Sequence, residues 1–307
     1  MNNLICIAGP TASGKTALSI ALAKELSAEI VSCDSMQVYK RMDIGTAKPT
    51  LEERDGIPHY MLDVAEPDED FSVSRYCALA TPIIDDILAR GKTAVIVGGT
   101  GLYMDSLIKG NDFAPFPSTG MREMLEAKPI EEVYAQLQAV DPDAAARLHL
   151  SDRKRIIRAM EVYLETGETI TEHNLRTQVI PPKYTPVWFA LEDEDRKDLY
   201  DRIDRRVETM LRQGLLDEIK GLLDTGIPAK STAMQAIGYK EFVAALEGRV
   251  TTQEAAAQVQ RSSRHYAKRQ LTWFRRNPAI HWLRRGKSTG TEEILNLARQ
   301  ILHETDK

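Results

Sequence analysis

Cysteine is scarce in this chain of 307 residues: Cys6, Cys33 and Cys77 are odd in number and lack CxxC spacing. That argues against a disulfide framework or a cysteine-based zinc site. The six histidines are scattered, with no HExxH spacing. No apolar run approaches the roughly 18 residues a membrane span needs, so no membrane partner is expected. The opening residues, MNNLICIAGP, lack the basic lead-in of a secretory signal. Internal repeats and low-complexity tracts are missing as well. At 43% hydrophobic and 28% charged residues, the chain reads as an ordinary cytoplasmic globular protein. Its length suits one large α/β domain with a substantial insertion, or two domains.

One absence is local. Between Glu254 and Glu292 there is no acidic residue, while nine basic ones occur, so the rest of the chain carries −14 against an overall −5. This split suggests a polyanion site on an otherwise acidic protein. On a helical wheel starting at Val259, Arg261, Arg264, His265, Lys268, Arg269, Arg275 and Arg276 fall between about 140° and 280°. Val259, Tyr266, Ala267, Leu271, Trp273 and Phe274 fall between about 320° and 120°. The spacing predicts a helix with an apolar face on the core and a basic face, carrying Arg264 and Lys268, that is either solvated or turned to a polyanion such as RNA. Tyr266, Trp273 and Phe274 are read as core.

Six segments have strand character: NLICIAG, AEIVSCDS, PHYMLDV, KTAVIVGGTG, VWFALE and AIHWL. Several alternate with helical stretches such as KTALSIALAKELS, which indicates a parallel, doubly wound sheet. From about 120 to 180 only helical segments follow one another. The fold expected is an α/β P-loop core, 1–117 and 184–307, interrupted by an α-helical insertion domain, 118–183. Residues 198–223 read as one helical run.

GPTASGKT, residues 9–16, is a phosphate-binding loop placed between a strand and a helix. Gly9, Pro10, Thr11, Ala12, Ser13 and Gly14 shape it, backbone N–H groups and the helix N-terminus attract anions, and Lys15 adds a full charge. The Thr16 hydroxyl is placed for Mg²⁺. A P-loop kinase or hydrolase ends an apolar strand with an acid for that metal; TAVIV ends in GGTG instead, and Asp63 is a weaker substitute. Asp34, at the end of the second strand, should share the rim with the loop. It can assist a metal through water, take a proton from a nucleophile, or simply cap a turn. Thr100 in GGTG reaches the same rim and could donate to a phosphate oxygen.

GPTASGKT, SCDSMQVYKRMDIGTAKP, VGGTGLY, RIDRRV, AIGYKE and AKRQLTWFRR together resemble the bacterial tRNA dimethylallyltransferase family from about residue 4 to 284. The resemblance implies that the loop holds the diphosphate of dimethylallyl diphosphate, which accounts for the missing strand-end acid. It implies transfer of the allyl group to N6 of adenosine 37, beside the anticodon, in tRNAs reading codons that begin with U. Asp34 is then the general base, and Lys15, Thr16, Thr100 and Arg206 surround the diphosphate. The tRNA anticodon arm would be held by Asp34, Ser35, Met36, Gln37 and Thr100, by Arg122, Lys154, Arg155 and Arg158, and by Gln235, Gly238 and Lys240. Gln235 and Lys240 stand where some relatives have arginine. A monomer using Mg²⁺ is expected. The competing readings are an adenylate isopentenyltransferase, a small-molecule P-loop kinase, and a non-catalytic RNA-binding protein. The first leaves the insertion and the basic helix without a purpose, and the last leaves Lys15, Thr16 and Asp34 unexplained.

Overall fold

The computed structural model describes residues 3–110, 120–178 and 181–305. Among them six strands form one sheet: β1 (Leu4–Ala8), β2 (Glu29–Ser32), β3 (His59–Tyr60), β4 (Ala94–Val97), β5 (Val187–Asp193) and β6 (Ile280–Arg285). The order is β3-β2-β4-β1-β5-β6, and every neighbouring pair is parallel. All six segments with strand character in the sequence are strands, and the fold is the doubly wound α/β class.

Parallel neighbours need crossover connections. Helices α1 (Lys15–Leu26), α2 (Leu51–Arg54), α3 (Val73–Ala89) and α4 (Gly101–Lys109) accompany the first four strands. Along β1 and β5 alternate residues take opposite faces. Ile5, Ile7, Phe189 and Leu191 pack with Leu18 and Leu22 of α1 on one of them. With both faces covered, the strands read as near-continuous apolar runs. Cys6, Cys33 and Cys77 are free and buried. Near the sheet edge, buried Glu29 takes both Arg90 guanidinium arms at 2.7 Å, Lys92 at 2.6 Å and the Tyr60 hydroxyl at 2.9 Å. Those partners, Arg90 foremost, hold its carboxyl down at about 2.

A second compact unit spans Lys109–Lys183. It contains α5 (Met121–Glu126), α6 (Ile130–Val140), α7 (Pro142–Arg147), α8 (Arg153–Thr166) and α9 (Ile170–Gln178). Leu125, Val133, Leu137, Ile156 and Met160 form its own core. The unit starts at Lys109, where the sequence suggested 118; the 117/118 boundary lies outside the described residues. Helix α9 falls inside the stretch read as helical, although ITEHNLRTQ alone has too few apolar positions to mark a period.

The chain returns through β5 to α10 (Arg196–Arg212), α11 (Leu215–Asp224), α12 (Tyr239–Leu246), α13 (Thr252–Phe274) and α14 (Thr291–Thr305). Ile294, Leu295 and Ala298 of α14 complete the cluster on β1 and β5. The run read as one helix is two, because Gly214 sits at φ +99°, a left-handed conformation that interrupts it. No described helix is long and apolar enough to cross a membrane.

Candidate active site

After β1 the chain turns through the glycine loop into α1. Gly14 precedes the helix at φ +96° and has no side chain to cap it, and the first turn contains no acid. Leu18 N–H donates to Gly14 O, so the N–H groups of Lys15 and Thr16 lie before the helical ladder. The Ser13 hydroxyl is buried without a hydrogen-bond partner. Donors therefore exceed acceptors, which fits an anion.

Three side chains grip this loop from outside. Arg202 Nε donates to Ala12 O at 2.9 Å, while Nη2 holds Asp193 at 2.6 Å. Arg285 Nη1 donates to Ser13 O at 3.3 Å. Gln270 Oε1 accepts from the Thr11 N–H at 3.0 Å. The Thr11 amide thus faces α13, although the whole loop was expected to cradle phosphate. Lys15 Nζ donates to Pro10 O at 2.7 Å. A Cβ added to Gly9 would come within 3.2 Å of Leu191 O, so glycine lets the loop lie against β5.

Lys15, Asp34 and Arg206 share one electrostatic environment. Burial pulls the Lys15 ammonium down to about 8; the Asp34 charge pushes it up and Arg206 pushes it down. Burial also lowers Arg206, again opposed by Asp34. Asp34 Oδ1 accepts from Met36 N–H at 2.9 Å and Gln37 N–H at 3.4 Å. Both turn bonds use Oδ1, so the turn leaves Oδ2 outside it.

Thr100 turns toward the Asp34 segment. Its Oγ1 accepts from the Ser35 N–H at 3.0 Å and donates to Ser35 Oγ at 3.3 Å. Tyr266 lies close enough to the Thr100 side chain to influence it, and burial, helped by the Asp34 charge, pushes its phenol up to about 12. Tyr266, read from the wheel as core, lines the site. A Cβ on Gly98 would lie 1.9 Å from Cys33 O, one on Gly99 2.1 Å from Gln270 Nε2, and one on Gly101 2.2 Å from Trp273 Cδ1. The GGTG glycines thus admit the end of β2 and helix α13 at close range. Gln270 had a sequence signal that went unread. It falls at about 20° on the wheel, a glutamine in the middle of the apolar face.

The Gln37 amide is engaged within the fold. Its Oε1 accepts from Ser32 Oγ at 3.0 Å, and Nε2 donates to Thr46 O and Ala47 O at 3.3 and 3.2 Å. The adjoining backbone N–H groups of Asp43, Ile44 and Gly45 donate to Glu218, which also accepts from the Tyr239 hydroxyl at 2.6 Å. Asp63, the alternative metal acid, pairs at 2.6 Å with buried Lys48.

The residues expected to hold RNA fall into two groups. In the sheet-containing unit, Arg264 Nη1 contacts Asp204 at 2.5 and 2.7 Å, and Arg275 pairs with Glu192. The basic face of α13 therefore has compensating acids, supplied by α10 and β5; counting along the chain missed them. Lys268 is exposed and, among the described residues, ion-pairs with no carboxylate. Gln235 Nε2 donates to Ala229 O at 2.9 Å, Gly238 N–H to Glu241 at 2.9 Å, and Lys240 is exposed. In the helical unit, Arg122 and Arg158 both clasp Glu161, at 2.8 and 2.7 Å, and lower its carboxyl. Lys154 and Arg155 are exposed there.

Among the described residues no three His, Cys, Asp or Glu side chains gather as a metal-binding group. Thr16 is exposed at the start of α1. Its hydroxyl fits the sparse protein coordination of a Mg²⁺ that takes most of its ligands from phosphate and water.

The IPP transferase family pattern matches residues 37–277, and an Isopentenyl transferase pattern matches residues 2–68. The tRNA dimethylallyltransferase of Carboxydothermus hydrogenoformans is 47% identical over 306 residues, 98% of this chain and 96% of that protein. That of Thermoanaerobacter sp. (strain X514) is 46% identical over 285 residues, 91% and 90% of the two chains. Among solved structures, the full-length tRNA isopentenylpyrophosphate transferase of Bacillus halodurans is 41% identical, with a TM-score of 0.75, over 100% of this chain and 97% of its own. A eukaryotic dimethylallyltransferase captured acting on tRNA is 29% identical, with a TM-score of 0.85, over 99% and 80%. A pattern spanning most of the chain, and relatives this similar over nearly all of it, establish that the chain belongs to the IPP transferase family of tRNA dimethylallyltransferases.

Proposed function

We propose that the protein transfers the dimethylallyl group of dimethylallyl diphosphate to N6 of adenosine 37 in tRNA, releasing diphosphate. The observation that carries this reading is the shared environment of Lys15, Asp34 and Arg206. A donor-rich anion site beside a carboxylate suits a reaction that expels diphosphate while an amine loses a proton. The C1–O bond of the donor breaks and the electron pair leaves with diphosphate. The N6 lone pair forms the N6–C1 bond, and the N6 proton passes to Asp34.

Lys15, Arg206 and the N–H groups at the start of α1 stabilise the leaving diphosphate; one such donor is worth roughly 3–4 kcal/mol. Asp34 orients the weakly nucleophilic amine and accepts its proton, for about 10²–10⁴-fold. Thr16, with diphosphate oxygens, would hold Mg²⁺, which would supply further charge to the leaving group. Thr100 and Ser35, hydrogen-bonded to each other, border the base. Extruding the adenine costs a few kcal/mol, which calls for a broad RNA surface. In the sheet-containing unit Lys268 and Lys240 are exposed cations for this, Lys240 beside Glu241, and in the helical unit Lys154 and Arg155 are, Arg155 beside Asp152. Arg264, Arg122 and Arg158 contribute from within ion pairs, and Gln235 and Gly238 border the backbone near Lys240. One chain carries the whole catalytic set, which supports a monomer, and its tRNA substrate supports a cytoplasmic site of action.

The test is nucleoside analysis of unmodified bulk tRNA after incubation with the protein and dimethylallyl diphosphate. N6-(dimethylallyl)adenosine should appear only when all three are present. Its absence would remove the assignment.

A further inference from the structure

We infer that Gln270 is a positioning residue whose amide locks the phosphate loop to the Thr100 loop, setting the distance between the donor's diphosphate and the attacking base. This rests on the reading that the phosphate loop takes that diphosphate. The two loops follow different strands, β1 and β4, and each carries part of the reaction. Gln270 is 5% exposed and joins them directly. Its Oε1 accepts from Thr11 N–H at 3.0 Å, and its Nε2 donates to Gly99 O at 2.9 Å. At neutral pH an amide of this length serves both: a carboxylate can accept from Thr11 but cannot donate to Gly99, and leucine can do neither.

The surroundings are built for the contact. A Cβ on Gly99 would meet Gln270 Nε2 at 2.1 Å and lie 3.4 Å from Gly9 O, so both loops and the amide converge there. One turn earlier on α13, Tyr266 neighbours Thr100; one turn later, Trp273 covers Gly101 and donates from Nε1 to Asp105 at 2.9 Å. Residues at this spacing share one side of a helix. The same helix exposes Lys268 and Arg269 on another side. Helix α13 thus fixes the catalytic loops with one face while presenting cations with the other.

The test compares Gln270→Leu, Gln270→Glu, Gly99→Ala and the double variant Gly99→Ala/Gln270→Ala with the unaltered protein, using an anticodon stem-loop. Turnover by the unaltered protein tests the functional reading separately, and affinity for inorganic pyrophosphate reports the loop without turnover. Gln270→Leu should lose at least about tenfold in kcat, toward the ~10²-fold that a 1 Å misplacement costs, and should bind pyrophosphate more weakly. KM for the stem-loop should change less than about threefold. Gln270→Glu should recover relative to the unaltered protein as pH falls and its carboxyl gains a proton to donate, whereas Gln270→Leu should not. Gly99→Ala should be costly alone but nearly neutral beside Gln270→Ala, where the methyl has room. The proposal is overturned if Gln270→Leu stays within about twofold of the unaltered protein. It also fails if losses across the variants merely follow melting temperature, or if only stem-loop affinity falls, which would make Gln270 an RNA contact.

Discussion

Arg264 and Asp204 face each other between α13 and α10, one guanidinium nitrogen lying 2.5 and 2.7 Å from the two carboxylate oxygens. A cation already neutralised this way gains less from an RNA phosphate than a solvated one. Lys268→Ala should reduce the slope of log affinity against log salt by roughly 0.7–0.9, one phosphate contact. Arg264→Ala should change it by less than half as much, and Asp204→Asn should steepen it. tRNA binding across a salt series decides the matter; equal losses for Arg264 and Lys268 would contradict the pairing.

The Lys15 ammonium, lowered by burial to about 8, gives donor capture a pH limit. Protonated Lys15 attracts diphosphate, so kcat/KM for dimethylallyl diphosphate should be level below pH 8 and fall above it. Asp34 raises this value, so Asp34→Asn should move the limb to lower pH, read by binding of the donor. A limb that stays near 10 would mean that Lys15 is solvated.

Asp34→Asn should separate turn from chemistry. The amide oxygen can keep both bonds that Oδ1 accepts from Met36 and Gln37, so the fold should persist. The amide cannot take the N6 proton, and kcat should drop by about 10²-fold or more. Single-turnover kinetics alongside thermal melting would show both; full activity would reduce Asp34 to a turn residue.

Glu29 predicts how stability responds to acid. Its folded value, about 2, lies below the ordinary 4.5, so its contribution is present above 4.5 and is lost as pH falls toward 2. Glu29→Gln should cost about 2 kcal/mol near neutrality, moderated because Arg90 and Lys92 are partly exposed. The gap in urea unfolding free energy should close between pH 4.5 and 2. A constant gap would assign the loss to packing.

The sheet was legible because both of its faces are buried: runs such as TAVIV and VWFALE carry their own signal, and parallel pairing follows from the intervening helices. The phosphate loop was legible because its backbone geometry demands particular residues at fixed spacing. What the sequence concealed was juxtaposition. Asp204 compensates Arg264 from 60 residues away, and Gln270 meets Thr11 from 259 residues away. No linear count of charge reveals the first. The second left one trace, a polar residue in the centre of an apolar face. In GGTG only Thr100 carried a reading, while Gly98, Gly99 and Gly101 answer to Cys33, Gln270 and Trp273.

The proposed acceptor is an adenosine held in RNA, not a free nucleotide. The most direct measurement places labelled dimethylallyl diphosphate, an anticodon stem-loop with adenosine beside the anticodon, and free AMP in one reaction, followed by nucleoside analysis. Binding energy gathered along the anticodon arm is required to extrude the base, and a free nucleotide offers almost none of it. Label should appear at N6 of that adenosine and not in AMP. Label in AMP, or none in the stem-loop, would contradict the account.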